Sequence, residues 1–177
     1  MTGTGGVTLD TPGELIEAFT TAVATTLREM AAAEVVVRDA SRASGGEGLA
    51  DVSAALRLDA DAERWLILSF PRATAAALAG RVLAEVGGEP DEGMIRDCAA
   101  ELVNVIAGQA KALLFGTPHH FTLSTPTVLA AGPSGVADGR TVVRFDSDAG
   151  AFTLHLCPPP AAAGAGGGGP SFTRPGG

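Results

Sequence analysis

The hydrophobic pattern along the chain predicts three helices and several paired strands. Apolar residues recur at four-residue steps over 12–33 and 71–86, and the longest such pattern covers 91–115. This spacing is typical of helices with one core-facing side. Extended segments are predicted at 34–38, 49–58, 64–70, 121–131, 140–146 and 150–156. The order of elements favours an α+β fold, an antiparallel β-sheet with the long helices packed on one face.

One domain is expected, spanning residues 12–157, and a chain of this size can bury a substantial core. Residues 1–11 are expected to be a disordered N-terminus. Residues 158–177, PPPAAAGAGGGGPSFTRPGG, are expected to be a disordered tail because Pro, Gly and Ala offer little apolar surface to bury. The composition of 40–48 predicts a loop.

The helix predicted over 91–115 has two different faces. One is an apolar stripe made of Ile95, Cys98, Leu102, Ile106 and Leu113. The opposite face is a polar stripe made of Asp97, Glu101, Asn104, Gly108 and Lys111, at steps of four, three, four and three residues. The polar stripe therefore places a carboxylate and a carboxamide one helical turn apart.

Gly108 needs a physical reason, because glycine within a helix costs ~1 kcal/mol relative to alanine. A missing side chain allows another surface to approach the helix closely. Two explanations remain open from the sequence. A partner docks beside Glu101 and Asn104, or Gly108 packs beneath a neighbouring element of the same chain.

Charge and composition exclude several classes of partner. The net charge is −8, which argues against non-specific binding of nucleic acid and against anionic membrane surfaces. The chain has no apolar run close to the ~20 residues that a membrane span needs. The N-terminus has neither the basic region nor the apolar run of a signal peptide, so a cytoplasmic location is expected.

Two possible metal sites fail on spacing. Counted from Asp59, the sixth and twelfth positions of a calcium loop would be Arg64 and Phe70 instead of Gly and Glu. His119 and His120 are adjacent in an extended segment, so their side chains point to opposite faces. No metal or cofactor is therefore expected on this chain.

The polar stripe carries a family resemblance. Asp97-x3-Glu101-x2-Asn104, followed by Gly108 and later by Pro126 within residues 124–128, resembles the signature of the CheC/CheX/FliY family of chemotaxis phosphatases. The runs ELVNVIAGQAKALL (101–114) and STPTVLAAG (124–132) are most similar to the single-site CheX type. The resemblance extends from about Leu15 to Leu156. An E-x-x-N pair alone is a weak signal, but its combination with the glycine and the downstream proline is specific.

The resemblance implies hydrolysis of the aspartyl phosphate on a CheY-like response regulator. Asn104 would orient the attacking water, and Glu101 would pair with the lysine beside the regulator's phosphorylated aspartate. Asp97, Gly108 and Lys111 would contact the partner, and any Mg²⁺ would be held by the regulator. A homodimer formed through sheet edges is also implied. The alternative is a non-catalytic module on the same fold that binds a receiver domain or a motor component.

Overall fold

The computed structural model describes residues 11–43, 47–129 and 139–158. The helices are α1 (Gly13–Ala31), α2 (Arg72–Val82) and α3 (Glu92–Leu113). The strands are β1 (Val35–Arg42), β2 (Val52–Asp59), β3 (Arg64–Phe70), β4 (Thr122–Leu123), β5 (Thr127–Leu129), β6 (Thr141–Ser147) and β7 (Phe152–Cys157). The predicted α+β class and the order of elements are confirmed.

The seven strands of the described residues form one sheet in the order β1-β6-β7-β3-β2-β4, and β5 also pairs with β2. All of these pairings are antiparallel. The predicted hairpins β2–β3 and β6–β7 are both present. The first strand does not pair with the next strand in sequence but crosses to β6, where Val35 faces Ser147 and Arg42 faces Thr141.

The main core lies between the three helices and one face of the sheet. Alternating residues of the central strands point into it, and all six of the following are at most 2% exposed: Ala54, Leu56, Leu66, Leu68, Leu154 and Leu156. From the helices, Phe19 of α1 and Leu102 and Ile106 of α3 are equally buried. Complete burial of one such large apolar side chain contributes roughly 1.5–3 kcal/mol, so this layer is the main source of stability.

The apolar stripe of α3 is confirmed except at its C-terminal end. Ile95, Cys98, Leu102 and Ile106 are buried, but Leu113 is 53% exposed and Leu114 is buried in its place. The helix ends at Leu113, and a turn that closes at Gly116 with φ 78° follows. Leu113 is still helical, but the buried face continues by the four-residue step from Ala110 to Leu114 and not by the seven-residue step from Ile106 to Leu113.

Helix α2 also ends earlier than predicted, at Val82. Residues 83–86 form a turn in which the Val86 amide donates to the Leu83 carbonyl at 2.9 Å. The side chain of Val86 is 72% exposed. Because no core contact holds this valine, its four-residue spacing from Val82 does not extend the helix.

Strand β1 is longer than predicted, and the loop prediction for 40–48 is wrong over 40–42. The strand reaches Arg42 because β6 provides hydrogen-bonding partners along its whole length, with one bulge between Val37 and Asp39. Arg38 donates two hydrogen bonds to the carboxylate of Asp146 across this pair, at 2.9 and 2.7 Å. The rest of the predicted loop includes residues 44–46, outside the described residues.

The predictions for the two ends of the chain concern mostly residues outside the described part, namely 1–10 and 159–177. Thr11 is an exception to the predicted disorder. Its side chain is buried, and its hydroxyl lies 2.8 Å from the hydroxyl of Thr141. Among the described helices, none has the length and hydrophobicity required to cross a lipid bilayer.

A buried polar cluster lies on the sheet face opposite the helices. Arg140 Nε donates to His155 Nδ1 at 2.9 Å, and His155 Nε2 lies 2.8 Å from Thr153 Oγ1. Since Nδ1 accepts, the neutral ring carries its hydrogen on Nε2 and donates to Thr153. Burial lowers the pKa of His155 to about 3, and the charges of Arg140 and Arg144 contribute to the shift.

We expect this histidine to make the fold acid-sensitive. Between pH 6.5 and about 3 the unfolded chain protonates at residue 155 and the folded chain does not. Stability therefore falls as the pH is lowered, by up to about 1.4 kcal/mol per pH unit from this group. Urea unfolding at a series of pH values measures the slope, and His155→Gln should reduce it. An unchanged slope in that variant would show that another group causes the acid sensitivity.

Candidate functional site

Glu101 and Asn104 lie together on the outward face of α3. Glu101 is exposed and Asn104 is partly exposed. Residues three apart on a helix are neighbours, with Cβ atoms about 5–6 Å from each other. Within the described residues neither side chain has a hydrogen bond or an ion pair. The carboxylate and the amide therefore remain available to another molecule.

The reverse face of α3 determines which way this pair points. Leu102, Val103, Ile106 and Ala107 are at most 1% exposed, and α3 packs mainly against α1 and β2. At its N-terminus the side chain of Asp91 accepts from the Met94 amide at 2.8 Å. A cap of this kind is worth about 1 kcal/mol. Packing and cap together fix the rotation of the helix and hence the direction of the two polar side chains.

Cys98, one turn before Glu101, is a structural residue. Burial raises the pKa of its thiol to about 11, and the charge of Glu101 adds to the increase. Because the thiolate is the nucleophilic form of cysteine, a thiol with this pKa is unreactive near neutral pH. The carboxylate of Glu101 and the amide of Asn104 are the candidate functional groups on this helix.

The structure tests one of the two explanations for Gly108, packing within the chain. A Cβ atom built on Gly108 meets no other atom within 4 Å. Packing beneath a neighbouring element is therefore wrong for the described part of the chain. Docking of a partner against Gly108 stays a prediction.

Asp97 and Lys111 lie at the two ends of the polar stripe. Asp97 is exposed and Lys111 is partly exposed. Neither has an ion-pair partner in the part of the chain that the structure describes. All five residues of the predicted stripe thus share one face of α3, with negative charge towards the N-terminus and positive charge towards the C-terminus.

The sequence analysis missed two residues that continue this face. Phe115 follows Lys111 by four residues and is 79% exposed. Its ring meets the ring of His120 edge-on, with centroids 5.7 Å apart. Together with Gly108, Lys111 and Ala112 they line a groove of about 380 Å³, the Phe115 groove. The four-residue spacing from Lys111 to Phe115 is the only sign of the groove in the sequence, and it predicts a continued helix there.

The proline of the sequence signature interrupts an edge of the sheet. Strands β4 and β5 pair with β2 on either side of Pro126, as expected for a residue without an amide hydrogen. In the gap, the Ser124 hydroxyl accepts from the Arg57 amide at 2.7 Å. Both short strands also contact α3, so this interruption lies beside the helix that carries Glu101 and Asn104.

His119 and His120 turn to different neighbours. His119 Nε2 lies 3.5 Å from Glu14 Oε2, whereas His120 contacts Phe115. Nowhere in the described ranges do three or more His, Cys, Asp or Glu side chains form a possible metal site.

Comparison with known families adds to this geometry. The family model described as chemotaxis phosphatase CheX matches residues 52–146, which include the whole of α3 and the interrupted edge. The chain belongs to the CheX family. No curated protein sequence matches it significantly.

Solved structures similar to this family member share its fold. CheX from Desulfovibrio desulfuricans is 22% identical, with a TM-score of 0.73 over 82% of this chain and 99% of the other. A CheC-like superfamily protein from Shewanella sp. PV-4 is 21% identical, with a TM-score of 0.72 over 83% and 98%. CheX from Borrelia burgdorferi, crystallised with CheY, BeF₃ and Mg²⁺, is 20% identical, with a TM-score of 0.68 over 81% and 96%.

Proposed function

We propose that this protein accelerates hydrolysis of the aspartyl phosphate on a CheY-like response regulator. The observation that carries the proposal is the unpartnered Glu101–Asn104 pair, held outward on the rigid α3 of a CheX family member. The similar Borrelia burgdorferi protein was crystallised with CheY, which supports a receiver domain as the partner. A cytoplasmic location follows from the proposed partner.

Asn104 suits the positioning of water. Transfer of a phosphoryl group to water depends mostly on in-line positioning and on stabilising the charge on the phosphoryl oxygens. A side-chain amide both donates and accepts hydrogen bonds, so it can orient water without adding charge. A carboxylate at the same position would repel the phosphoryl oxygens. We assign Asn104 to the attacking water for this reason.

Glu101 suits an anchoring role. It lies one turn before Asn104 and is the more exposed of the two, so it can reach a cation on the partner beside the phosphate. We propose that this cation is the lysine next to the regulator's phosphorylated aspartate. The Mg²⁺ of the reaction would be bound by carboxylates of the regulator, which are ligands that this ion prefers. No cofactor on this chain enters the proposal.

We expect Asn104→Ala to reduce the accelerated dephosphorylation by at least about 100-fold, the scale observed when one positioned transition-state contact is removed. Binding to the regulator should persist because Glu101 remains. The measurement is the decay of a radiolabelled acyl phosphate on a receiver domain from the same genome. Arg96→Ala, an exposed change on the same helix, is the control.

If Asn104→Ala still accelerates the decay, the assignment of the water to Asn104 is wrong. If the wild-type protein binds the receiver domain without accelerating decay, the non-catalytic binding module is the correct function.

Glu101→Gln should weaken binding and lower kcat/KM together, because the amide keeps the shape of the side chain but cannot form the ion pair. Removing one member of a desolvated ion pair costs about 2–5 kcal/mol of binding free energy. Titration of the receiver domain carrying beryllofluoride and Mg²⁺ measures the affinity. An unchanged affinity would refute the anchoring role.

We also propose a homodimer formed through the edge of β1 that pairs with no other described strand. This strand lies at one end of the sheet path, and its Val36 and Val37 are 64% and 50% exposed. Exposed apolar edge strands readily pair with another chain. Sedimentation at tens of micromolar should give the mass of a dimer, and Val37→Lys should shift it towards the monomer. A wild-type protein that sediments as a monomer contradicts this part of the proposal.

A further inference from the structure

We propose that the Phe115 groove is a second docking point for the same receiver domain, and that it takes an apolar side chain flanked by a carboxylate. This inference rests on the proposed function, because it adds a contact with the partner that Glu101 and Asn104 engage. The groove then contributes to the affinity for the receiver domain and to the selection of one regulator over another.

The first argument is that Phe115 is exposed yet held in place. Its neighbour Leu114 is 2% exposed and anchors the turn to the core. The Phe115 amide donates to the Ala112 carbonyl at 3.3 Å, and the Thr117 amide donates to the Leu114 carbonyl at 3.0 Å. The edge-on contact with His120 orients the ring itself. An aromatic side chain that is already ordered loses little conformational entropy on binding, which makes it a suitable interface anchor.

The second argument is continuity with the proposed site. Phe115 follows two residues after Leu113, where α3 ends, and Leu113 lies about 14 Å from Asn104 along the helix axis, at a rise of about 1.5 Å per residue. A stable interface covers about 800 Å² on each partner, a patch roughly 30 Å across. A receiver domain centred on Glu101 and Asn104 would therefore reach the groove at the rim of its contact surface.

The charge at the groove favours a partner that carries a carboxylate. The protein has a net charge of −8, but the groove carries Lys111 in its lining. Lys111 has no ion-pair partner among the described residues. It lies about 15 Å along the helix from Glu101, at a rise of about 1.5 Å per residue. The proposed partner therefore presents a cation opposite Glu101 and a carboxylate opposite Lys111. These two groups lie about 15 Å apart.

Gly108 supports the same partner. It lies between Asn104 and the groove and forms part of the groove lining, and a Cβ atom there would meet nothing of the described chain. A helical glycine that its own fold does not require is explained when the partner's surface lies against the helix at this point.

The experiment is a steady-state analysis of dephosphorylation. The probe is the receiver domain from the same genome that the wild-type protein dephosphorylates fastest, charged with acetyl phosphate. Phe115→Ala should raise KM about tenfold, as expected for loss of an aromatic anchor, and leave kcat close to the wild-type value. Leu113→Ala is the matched control, since this leucine is also exposed, at 53%, but does not line the groove.

Two further pairs of variants test charge and shape. Lys111→Glu should raise KM more than Lys111→Ala, and the difference should shrink at high salt. Gly108→Ala and Gly80→Ala both replace a helical glycine whose added Cβ meets no atom within 4 Å, so both should raise the midpoint of thermal unfolding. Only Gly108→Ala should raise KM.

The outcomes separate this inference from the proposed function. If Asn104→Ala abolishes activity while Phe115→Ala and Lys111→Glu leave KM unchanged, the groove is not a docking point and the phosphatase assignment stands. If the wild-type protein is inactive, titration with the receiver domain replaces kinetics, and an affinity unchanged by Phe115→Ala overturns the groove. A Phe115→Ala variant that loses only self-association would assign the groove to a second copy of the chain.

Discussion

The burial of one face of α3 is the constraint on which the site depends. Leu102 and Ile106 are almost completely enclosed by α1 and the sheet, and turning the helix about its axis would expose them. At roughly 1.5–3 kcal/mol for each large side chain, a rotation of even one residue position would cost a large share of a typical domain's stability of 5–15 kcal/mol. The outward direction of Glu101 and Asn104 follows from this packing and needs no contact of their own.

The parts of this arrangement that were predictable from the sequence are those set by local periodicity. The two faces of α3 follow from a 3.6-residue repeat within one segment. The length of β1 was not predictable in this way, because Ser41 and Arg42 are extended only through pairing with Val142 and Thr141, about a hundred positions away in sequence. Strand pairing across such a separation leaves no signal in the strand itself.

The groove was missed for a different reason. An aromatic residue at the end of an apolar helix is ordinarily core, and the pattern over 91–115 predicts helical positions for both Leu113 and Phe115. The buried face of α3 continues from Ala110 to Leu114, so Leu114 is buried while Leu113 and Phe115 are exposed. In the sequence, the glycine at position 116 marks the turn after the helix. Its φ is 78°, and glycine adopts positive φ at little cost. Gly116 marks the stop, but it does not show that Leu113 is the last helical residue.

Net charge has little influence at this site. The chain is acidic and so, at its phosphorylation site, is the proposed partner, yet charges further apart than about 8 Å are largely screened at physiological salt. Binding then depends on the side chains in direct contact with the partner. A neutral amide and an acid can therefore lie side by side on the same helix, each with its own contact. In the proposed mechanism, Glu101 attracts a cation of the partner and Asn104 meets the phosphoryl group without repulsion.

Separating the two roles by one helical turn also separates affinity from rate. Under the proposed function, anchors on the rigid helix position the partner, and the amide acts only once that position is reached. If Asn104 acts by positioning water, its contribution to the rate is lost when the amide is removed and also when the amide is displaced. The placement comes from α3 as a whole, which is why a buried leucine on its reverse face is as necessary to the proposed chemistry as the asparagine itself.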